Sequence, residues 1–361
     1  MGFDAQRGLV VSNVSVLRAM NFVSDNQYGA SPEILAAVAA VGQEPQPSYG
    51  DDDVTQRVNS RLCEIFECEV VSFPVINGTA ANALALATLV PPHGAIVCHA
   101  EAHIAVDECG APEFYTHGAK LVPVEGSDGK LAPERIEGAL RNFQRGVVHH
   151  VQPTVISLTQ ATECGTVYSP AEIKKVSTLA RARGLKLHMD GARFANAVVS
   201  LGGTPAELTW KAGVDVLSFG ATKNGALAAE AVIFFNPKDA GDFEYRRKKS
   251  GHLLSKQRFV SVQLEAYLKD ELWLTNARRA NRLAKLLAQG LAQNSAIEIA
   301  HPVSANAVFV RMPDALAAKL RRNGVQFYNW GTRAAGYTLA RLMLSFATPE
   351  EQVARLIELA R

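Results

Sequence analysis

Residues 154–193 read TVISLTQATECGTVYSPAEIKKVSTLARARGLKLHMDGAR, and this stretch decides the fold. Residues 154–158 and 185–189 are short apolar runs with the length of buried strands. Between them, residues 169–172 (Ser-Pro-Ala-Glu) combine a capping box with a proline at the first helical position, which predicts a helix start. Gly184 is typical of the residue that follows a helix end. The order strand, helix, strand predicts two parallel strands joined by a crossover helix.

The same alternation continues on both sides of this stretch. It predicts an α/β fold with a mostly parallel sheet that is covered by helices on both faces. Further strands are predicted over residues 71–76, 95–98, 120–124, 214–219 and 231–235, and helices follow Ser31-Pro32 and lie over residues 54–67 and 80–89.

The character of the sequence changes after about residue 255. Residues 256–294 are helical in pattern, and short strands then alternate with two further helices up to the C-terminus. We therefore predict an N-terminal extension over residues 1–20, a large domain over 21–255 and a small α+β domain over 256–361. The sequence leaves open whether the N-terminal segment of the large domain joins the small one.

Composition and charge exclude several classes of protein. The 361 residues include 37 Lys and Arg against 35 Asp and Glu, and a net charge of +2 gives no electrostatic signal for nucleic acid or membrane partners. Residues 70–100 hold no Asp, Glu, Lys or Arg, but Pro74 and the segment Asn77-Gly78-Thr79 interrupt this run, so we do not interpret it as a membrane span. Five cysteines without a Cys-x-x-Cys pair predict neither a metal site nor a disulfide framework. No secretory signal is recognisable, so we expect a cytoplasmic protein.

Three motifs follow three of the predicted strands, where open α/β sheets bind their ligands. Asn77-Gly78-Thr79 enters a helix, whose free N–H groups can receive a phosphate. Asp190 follows the second strand of the opening stretch, and Lys223 lies in a loop of small residues after residues 214–219. Each motif alone is compatible with an ordinary cap or turn. Together they match pyridoxal 5′-phosphate, which needs a phosphate seat, an acid for its ring nitrogen and a lysine for Schiff-base attachment.

Longer strings in the same order resemble the L-threonine aldolases, in particular their low-specificity and phenylserine aldolase members. This group belongs to the β-eliminating lyases of the aspartate-aminotransferase-like fold (fold type I), and the resemblance covers roughly residues 20–355. The strings that carry it are Ser24-Asp25-Asn26, Tyr49-Gly50-Asp51-Asp52, Asn77-Gly78-Thr79-Ala80-Ala81-Asn82, Ala102-His103, Asp107-Glu108-Cys109-Gly110-Ala111, Thr159-Gln160-Ala161-Thr162-Glu163, His188-Met189-Asp190-Gly191-Ala192-Arg193-Phe194 and Ser218-Phe219-Gly220-Ala221-Thr222-Lys223-Asn224-Gly225.

The resemblance implies a role for each matching residue around the cofactor. Lys223 is expected to attach pyridoxal 5′-phosphate and Asp190 to partner its ring nitrogen. Gly78 and Thr79 are expected to bind the phosphate, and the imidazole of His103 to stack on the ring.

The resemblance also implies how a substrate is held. Arg193 is expected to donate to the ring oxygen or to the substrate carboxylate, and Ser24 and Arg341 to anchor that carboxylate. Residues expected to reach across the interface of a homo-oligomer, a dimer at least and plausibly a tetramer, are Tyr49, Lys256 and Arg258.

The implied reaction is cleavage of an L-β-hydroxy-α-amino acid (threonine, allo-threonine or phenylserine) to glycine and an aldehyde. A base must take the β-hydroxyl proton, and His103 is the candidate. A branch of the family carries a histidine near the position of Thr162, which leaves the base less certain here. Small residues after Lys223 hint at an aromatic side chain, without deciding between threonine and phenylserine. A β-eliminating lyase or an aminotransferase on the same fold stays the alternative, and the missing G-x-G-x-x-G disfavours a dinucleotide oxidoreductase.

Overall fold

The computed structural model describes residues 19–42, 44–331 and 335–361. Residues 1–18, which make up most of the predicted N-terminal extension, lie outside the described residues. The extended segments are β1 (Met20–Asn21), β2 (Val71–Val75), β3 (Gly94–His99), β4 (Lys120–Val124), β5 (Gln152–Thr159), β6 (Lys186–Gly191), β7 (Val216–Gly220), β8 (Glu230–Phe234), β9 (Glu298–Ile299), β10 (Ala307–Pro313), β11 (Val325–Gln326), β12 (Tyr328–Asn329) and β13 (Tyr337–Met343).

The helices lie between these strands as the sequence pattern predicts. They are α1 (Pro32–Ala40), α2 (Asp53–Phe66), α3 (Gly78–Leu89), α4 (His103–Val106), α5 (Ala111–Tyr115), α6 (Pro133–Leu140), α7 (Pro170–Ala182), α8 (Phe194–Leu201), α9 (Phe243–Lys249), α10 (Arg258–Leu268), α11 (Leu272–Leu291), α12 (Asp314–Arg322) and α13 (Glu350–Ala360). The capping box before α7 is present, with the Ser169 and Glu172 side chains each bonded to the other's backbone N–H.

A seven-stranded sheet with the order β2-β8-β7-β6-β5-β3-β4 forms the centre of the molecule. The pairs from β7 through β6, β5 and β3 to β4 are all parallel, which confirms the predicted fold class. β8 is the exception, since it runs antiparallel to both β7 and β2. Only residues 221–229 connect β7 to β8, and a parallel return would need a crossover of a dozen residues or more.

The uncharged run over residues 70–100 forms β2 and β3 of this sheet and the helix α3 between them. All six residues of β3 are buried, and so are eight consecutive residues of α3, from Ala80 to Ala87. Burial on all sides explains the absence of charge along the run. Within the described part of the chain, no helix combines the length and the apolar character that crossing a bilayer requires.

The C-terminal part of the chain forms a separate antiparallel sheet with the order β12-β13-β10-β9. β1 pairs in parallel with β11, so Met20 lies opposite Val325 and the N-terminal segment joins this smaller unit. The predicted helical region over 256–294 is two helices, because Asp270 and Glu271 adopt left-handed backbone conformations between α10 and α11. The domain boundaries themselves stay a prediction.

Candidate active site

The three strand-end motifs converge on one cavity at the carboxyl edge of the seven-stranded sheet. Gly78 and Thr79 at the start of α3, Asp190 near the end of β6 and Lys223 after β7 all line it. His103, the first residue of α4, lines the same cavity. The structure therefore brings together five of the six residues expected to bind the cofactor, whereas the sixth, Arg193, is not among the residues that line this cavity.

The start of α3 has the features of an anion seat. Asn77 caps the helix by accepting from the backbone N–H of Ala80 at 2.8 Å, and its carbonyl receives the N–H of Ala81 at 3.1 Å. The N–H groups of Gly78 and Thr79 have no partner among the described residues. A Cβ built on Gly78 would meet nothing within 4 Å, so the backbone is open to a close ligand.

Asp190 is held rigidly at the base of the cavity. Its side chain is buried, and Oδ2 accepts from Asn82 Nδ2 at 2.8 Å while Oδ1 accepts from the backbone N–H of Ala192 at 2.9 Å. A buried carboxylate with two fixed donors keeps one orientation, as a partner of a cationic ring nitrogen must.

A network of side chains links Asp190 to His103. Asn82 Nδ2 also donates to Glu108 Oε1 at 2.9 Å, and the same oxygen is 2.8 Å from His103 Nδ1. The hydrogen bond to Glu108 raises the pKa of His103, whereas burial raises the pKa of Glu108 itself. Sequence reasoning assigned no role to Asn82 or Glu108. Two features of the sequence could have drawn attention to them. Asn82 places a side-chain amide in a largely apolar helix, and Glu108 is an acid five residues after His103.

Lys223 lies in a short 3-10 turn, Thr222–Asn224. The small residues next to it in sequence suggest an apolar environment, but a carboxyl group lies close to it. Glu230, the first residue of β8, lines the same cavity and is buried. Its Oε2 accepts from the backbone N–H of Ala221 at 2.9 Å. Burial raises the pKa of Glu230 to about 7. Sequence reasoning missed this residue, because its closeness to Lys223 depends on the antiparallel return of β8.

Of the residues assigned to the substrate carboxylate, Arg341 lies in the smaller sheet, Ser24 follows β1, and Arg193 follows β6 of the larger sheet. None of the three is among the residues that line the cavity. Arg193 forms a two-point ion pair with the buried Asp25, with Nε–Oδ2 at 2.8 Å and Nη2–Oδ1 at 3.0 Å. Asn306 Nδ2 also donates to Asp25 at 3.1 Å. Burial alone would raise the pKa of Asp25, but the Arg193 guanidinium outweighs it and lowers the pKa. Ser24 is used locally, since its hydroxyl accepts from the backbone N–H of Asn26 at 3.2 Å.

Arg341 has at least one N–H donor that no described residue uses. It lies in β13, with its guanidinium carbon 4.5 Å from the Trp330 ring centre and 5.5 Å from that of Tyr328. Nη2 makes a long contact of 3.4 Å to the carbonyl of Val23, and the buried Nε has no partner among the described residues. Burial lowers the pKa of Arg341, and the charge of Arg193 acts in the same direction, whereas the carboxylates of Asp25 and Glu163 act against it.

The family follows from comparison with known proteins. A model of the β-eliminating lyase family matches residues 21–315. The chain belongs to the β-eliminating lyase family. It is 44% identical to the low specificity L-threonine aldolase of Pseudomonas sp. (strain NCIMB 10558), over 94% of its own length and 96% of the relative's. It is 44% identical to that of Pseudomonas aeruginosa, over 93% and 95% of the two chains.

A solved structure agrees with this assignment. The threonine aldolase of Leishmania major superposes with a TM-score of 0.89 at 29% identity, over 94% of this chain and 98% of that one. The resemblance to L-threonine aldolases and the fold class predicted from the motifs are thereby confirmed.

The cofactor of this family is pyridoxal 5′-phosphate, and the residues of this chain fit it. The free N–H groups of Gly78 and Thr79 suit its phosphate, the buried Asp190 suits its ring nitrogen, and the amine of Lys223 lies in the same cavity. The buried Oδ1 of Asn82, which has no partner, lies in the network beside that carboxylate.

The loop that carries a histidine in one branch of the family is built differently here. Thr162 is buried, and its hydroxyl is 2.8 Å from Thr166 Oγ1 and 3.1 Å from the carbonyl of Asp128. The side chain is therefore satisfied within the protein. The next residue, Glu163, lines the cavity instead, which the resemblance did not indicate.

The three residues assigned to a subunit interface do not line this cavity. Tyr49 lines a surface cleft with Arg247 and is 45% exposed. Its backbone N–H donates to the carbonyl of Ser255 at 3.1 Å, so it lies beside the segment that contains Lys256 and Arg258. The Nε of Arg258 is buried without a partner. Their role across an interface stays a prediction.

Proposed function

We propose that the protein cleaves L-β-hydroxy-α-amino acids, with threonine and allo-threonine among them, to glycine and an aldehyde. The observation that carries this proposal is the convergence of Lys223, Asp190, His103 and the start of α3 on one cavity, in a chain related to L-threonine aldolases along nearly its whole length.

Pyridoxal 5′-phosphate, when bound, supplies a ring that accepts the electron pair left at Cα when the Cα–Cβ bond breaks. The orientation of Asp190 is fixed by Asn82 and Ala192, and its carboxylate would hold a proton on the ring nitrogen. The N–H groups of Gly78 and Thr79 would hold the phosphate, and the amine of Lys223 would give the covalent attachment.

The two arginines and Ser24 orient the substrate. Arg341 offers an unpartnered Nε, and Arg193 is kept in place by Asp25. When these guanidinium groups bind the substrate carboxylate, they fix the rotation of the substrate about its Cα–N bond. Only one such rotation would align the breaking Cα–Cβ bond with the ring that accepts the electrons.

His103 is the base that we propose for the β-hydroxyl proton. It lines the cavity, and the contact of Nδ1 with Glu108 leaves Nε2 to receive a proton. The Thr162 hydroxyl is already bonded within its loop, which makes it a poor substitute.

The finer properties of the enzyme belong to the same proposal. We infer that it also accepts phenylserine, that it is a cytoplasmic protein, and that it works as a homo-oligomer, a dimer at least and as a further proposal a tetramer, in which Tyr49, Lys256 and Arg258 contribute to a neighbouring site. The proximity of Tyr49 to the segment that holds the other two supports a common surface. Mixing two inactive variants, Lys223→Ala and Tyr49→Ala, tests this, since activity returns only if sites are shared between subunits.

Two measurements test the reaction. Purified protein with pyridoxal 5′-phosphate is expected to show a visible absorption band that Lys223→Ala abolishes and that the exposed-surface control Lys175→Ala retains. Incubation with L-threonine, L-allo-threonine and L-phenylserine is expected to release glycine and the matching aldehyde. Release of ammonia or a keto acid without glycine would instead identify a lyase of the eliminating type or an aminotransferase.

A further inference from the structure

Glu108 is an acid in the active-site region for which the proposed reaction has no use so far. Its side chain is fully buried and it does not line the cavity, so it cannot touch a substrate. Oε1 accepts both from Asn82 Nδ2 at 2.9 Å and from His103 Nδ1 at 2.8 Å. Its Oε2 is buried and has no partner among the described residues. Burying a carboxylate with only one of its oxygens hydrogen-bonded costs free energy, so the presence of Glu108 at this position needs an explanation.

Asn82 fixes which way the network points. Its amide nitrogen donates to Glu108 and to Asp190 Oδ2, so each of the two amide hydrogens is used on one carboxylate. The amide therefore has one orientation, and the remaining lone pairs of Glu108 Oε1 are directed to the imidazole of His103. Because a carboxylate is an acceptor only, the hydrogen in the contact with His103 belongs to Nδ1.

Three charged groups and burial determine how readily His103 takes a second proton. The carboxylates of Glu108 and Asp190 favour the charged imidazole, whereas burial and the ammonium of Lys223 oppose it. The hydrogen bond to Glu108 is the largest of these influences, and the pKa of His103 is raised as a result. Removal of the Glu108 charge would leave burial and the Lys223 ammonium less opposed, so the pKa of His103 would fall.

We propose that Glu108 is a positioning residue, which holds His103 as the Nδ1–H tautomer so that Nε2 faces the cavity as a proton acceptor. This inference rests on the proposed function, in which His103 takes the β-hydroxyl proton. As in other histidine bases, a carboxylate bound to one ring nitrogen of His103 orients the other. Asn82 links this carboxylate to Asp190, because its amide nitrogen donates to both.

The first test reads the proton affinity of His103 without using activity. Holoenzyme is labelled with diethyl pyrocarbonate across a range of pH, and the modification of each histidine is followed by peptide mapping. His103 has a side chain that is 32% exposed, so the reagent can reach it. In Glu108→Gln the midpoint of its reactivity is expected to fall by about one pH unit or more, because the charge that stabilises the imidazolium is lost. His301, paired with Asp128, is an internal standard that should not shift.

A matched variant controls for the mere loss of an acid. Glu113→Gln removes another glutamate of the same region, whose Oε2 is also buried and unpartnered, and it should leave the His103 midpoint unchanged. An unchanged midpoint in Glu108→Gln as well would overturn the proposal.

The second test uses a double-mutant cycle on L-threonine cleavage. Glu108→Gln is expected to lower kcat by about 10–100-fold, the usual loss when a group that orients a functional side chain is removed. In a His103→Gln background the same change should have almost no further effect. Additive losses would mean that Glu108 acts on something other than His103. Wild-type protein that releases no glycine at all would instead count against the proposed function.

A measurement on the wild-type holoenzyme covers the case in which Glu108→Gln does not fold. The nitrogens of ¹⁵N-histidine-labelled protein report the tautomer of each imidazole, and His103→Gln identifies the signals of His103. We expect its neutral form to carry the proton on Nδ1. A neutral His103 protonated on Nε2 would refute the proposal directly.

Discussion

The two sides of the candidate site use hydrogen-bond donors in opposite ways. On the side of α3 and α4, the donors of Asn82 and His103 are consumed by the protein's own carboxylates, Asp190 and Glu108. On the side of the smaller sheet, Arg341 is packed against aromatic rings with a buried Nε that has no partner among the described residues. The donors of the first side are thus satisfied before any substrate arrives, whereas the second side keeps a donor for a ligand. Changes on the first side should act on kcat, and changes on the second on KM.

The largest effect is expected from Asp190→Ala, which breaks the first side at its centre. The protonated ring nitrogen loses its partner in a buried setting, and kcat should fall by about 10³-fold with KM little changed. Steady-state kinetics on L-threonine measures this, with Asp107→Ala as a control at an exposed acid. Near-normal turnover would remove Asp190 from its assigned role.

Asp25→Asn should act on stability more than on chemistry. It leaves the buried Arg193 without its two-point partner, and the loss of one member of a buried pair costs about 3–5 kcal/mol of unfolding free energy. Urea unfolding measures the effect. The double variant Asp25→Asn/Arg193→Gln should recover part of the loss, since no isolated charge remains; a double variant less stable than the single one would contradict this.

Arg341→Ala addresses the open side directly. The substrate carboxylate loses a charged donor, and KM should rise by about 10–100-fold while kcat changes less. Arg311→Ala, at an exposed arginine of the neighbouring strand β10, is the control and should leave KM unchanged. An equal loss in kcat for Arg341→Ala would show that the guanidinium acts mainly in the transition state.

The smallest effect concerns Glu230, which lines the cavity together with Lys223. Its pKa is raised by burial to about 7 from 4.5, so the folded protein binds this proton more tightly than the unfolded chain does. Stability due to this group is therefore present below pH 4.5 and is lost as the pH rises towards 7. Glu230→Gln removes that loss and should be more stable than wild type at pH 8 by on the order of 2 kcal/mol, but not at pH 4.

Thermal unfolding of cofactor-free protein at the two pH values measures this difference. Glu134→Gln, at an exposed position, is the control and should show no pH-dependent gain. The idea fails if Glu230→Gln gives the same stability difference from wild type at both pH values.

The difference between the two sides also explains what the sequence could predict. Gly78, Asp190 and Lys223 each follow a buried strand, and parallel strands bring their carboxyl ends to one edge, so local pattern was enough to group them. The capping box at Ser169 and the parallel pairing of β5 with β6 followed from equally local signals.

Contacts between distant parts of the chain could not be predicted in this way. The ion pair of Asp25 with Arg193 spans 168 residues, and the hydrogen bond of Asn306 to Asp25 spans 281. Glu230 comes close to Lys223 only because a nine-residue connection, residues 221–229, makes β8 antiparallel. Asn82 and Glu108 stood in recognised strings, but their shared hydrogen bonds depend on the packing of α3 against α4.

The pairing of β1 with β11 has a consequence for how the site is assembled during synthesis. Every residue of the predicted cofactor seat has been synthesised once β8 is made. Ser24 and Asp25 follow a strand whose partner, Val325–Gln326, comes much later in the chain. The residues expected to bind the substrate can therefore be held together only after β11 has been made, long after those expected to bind the cofactor.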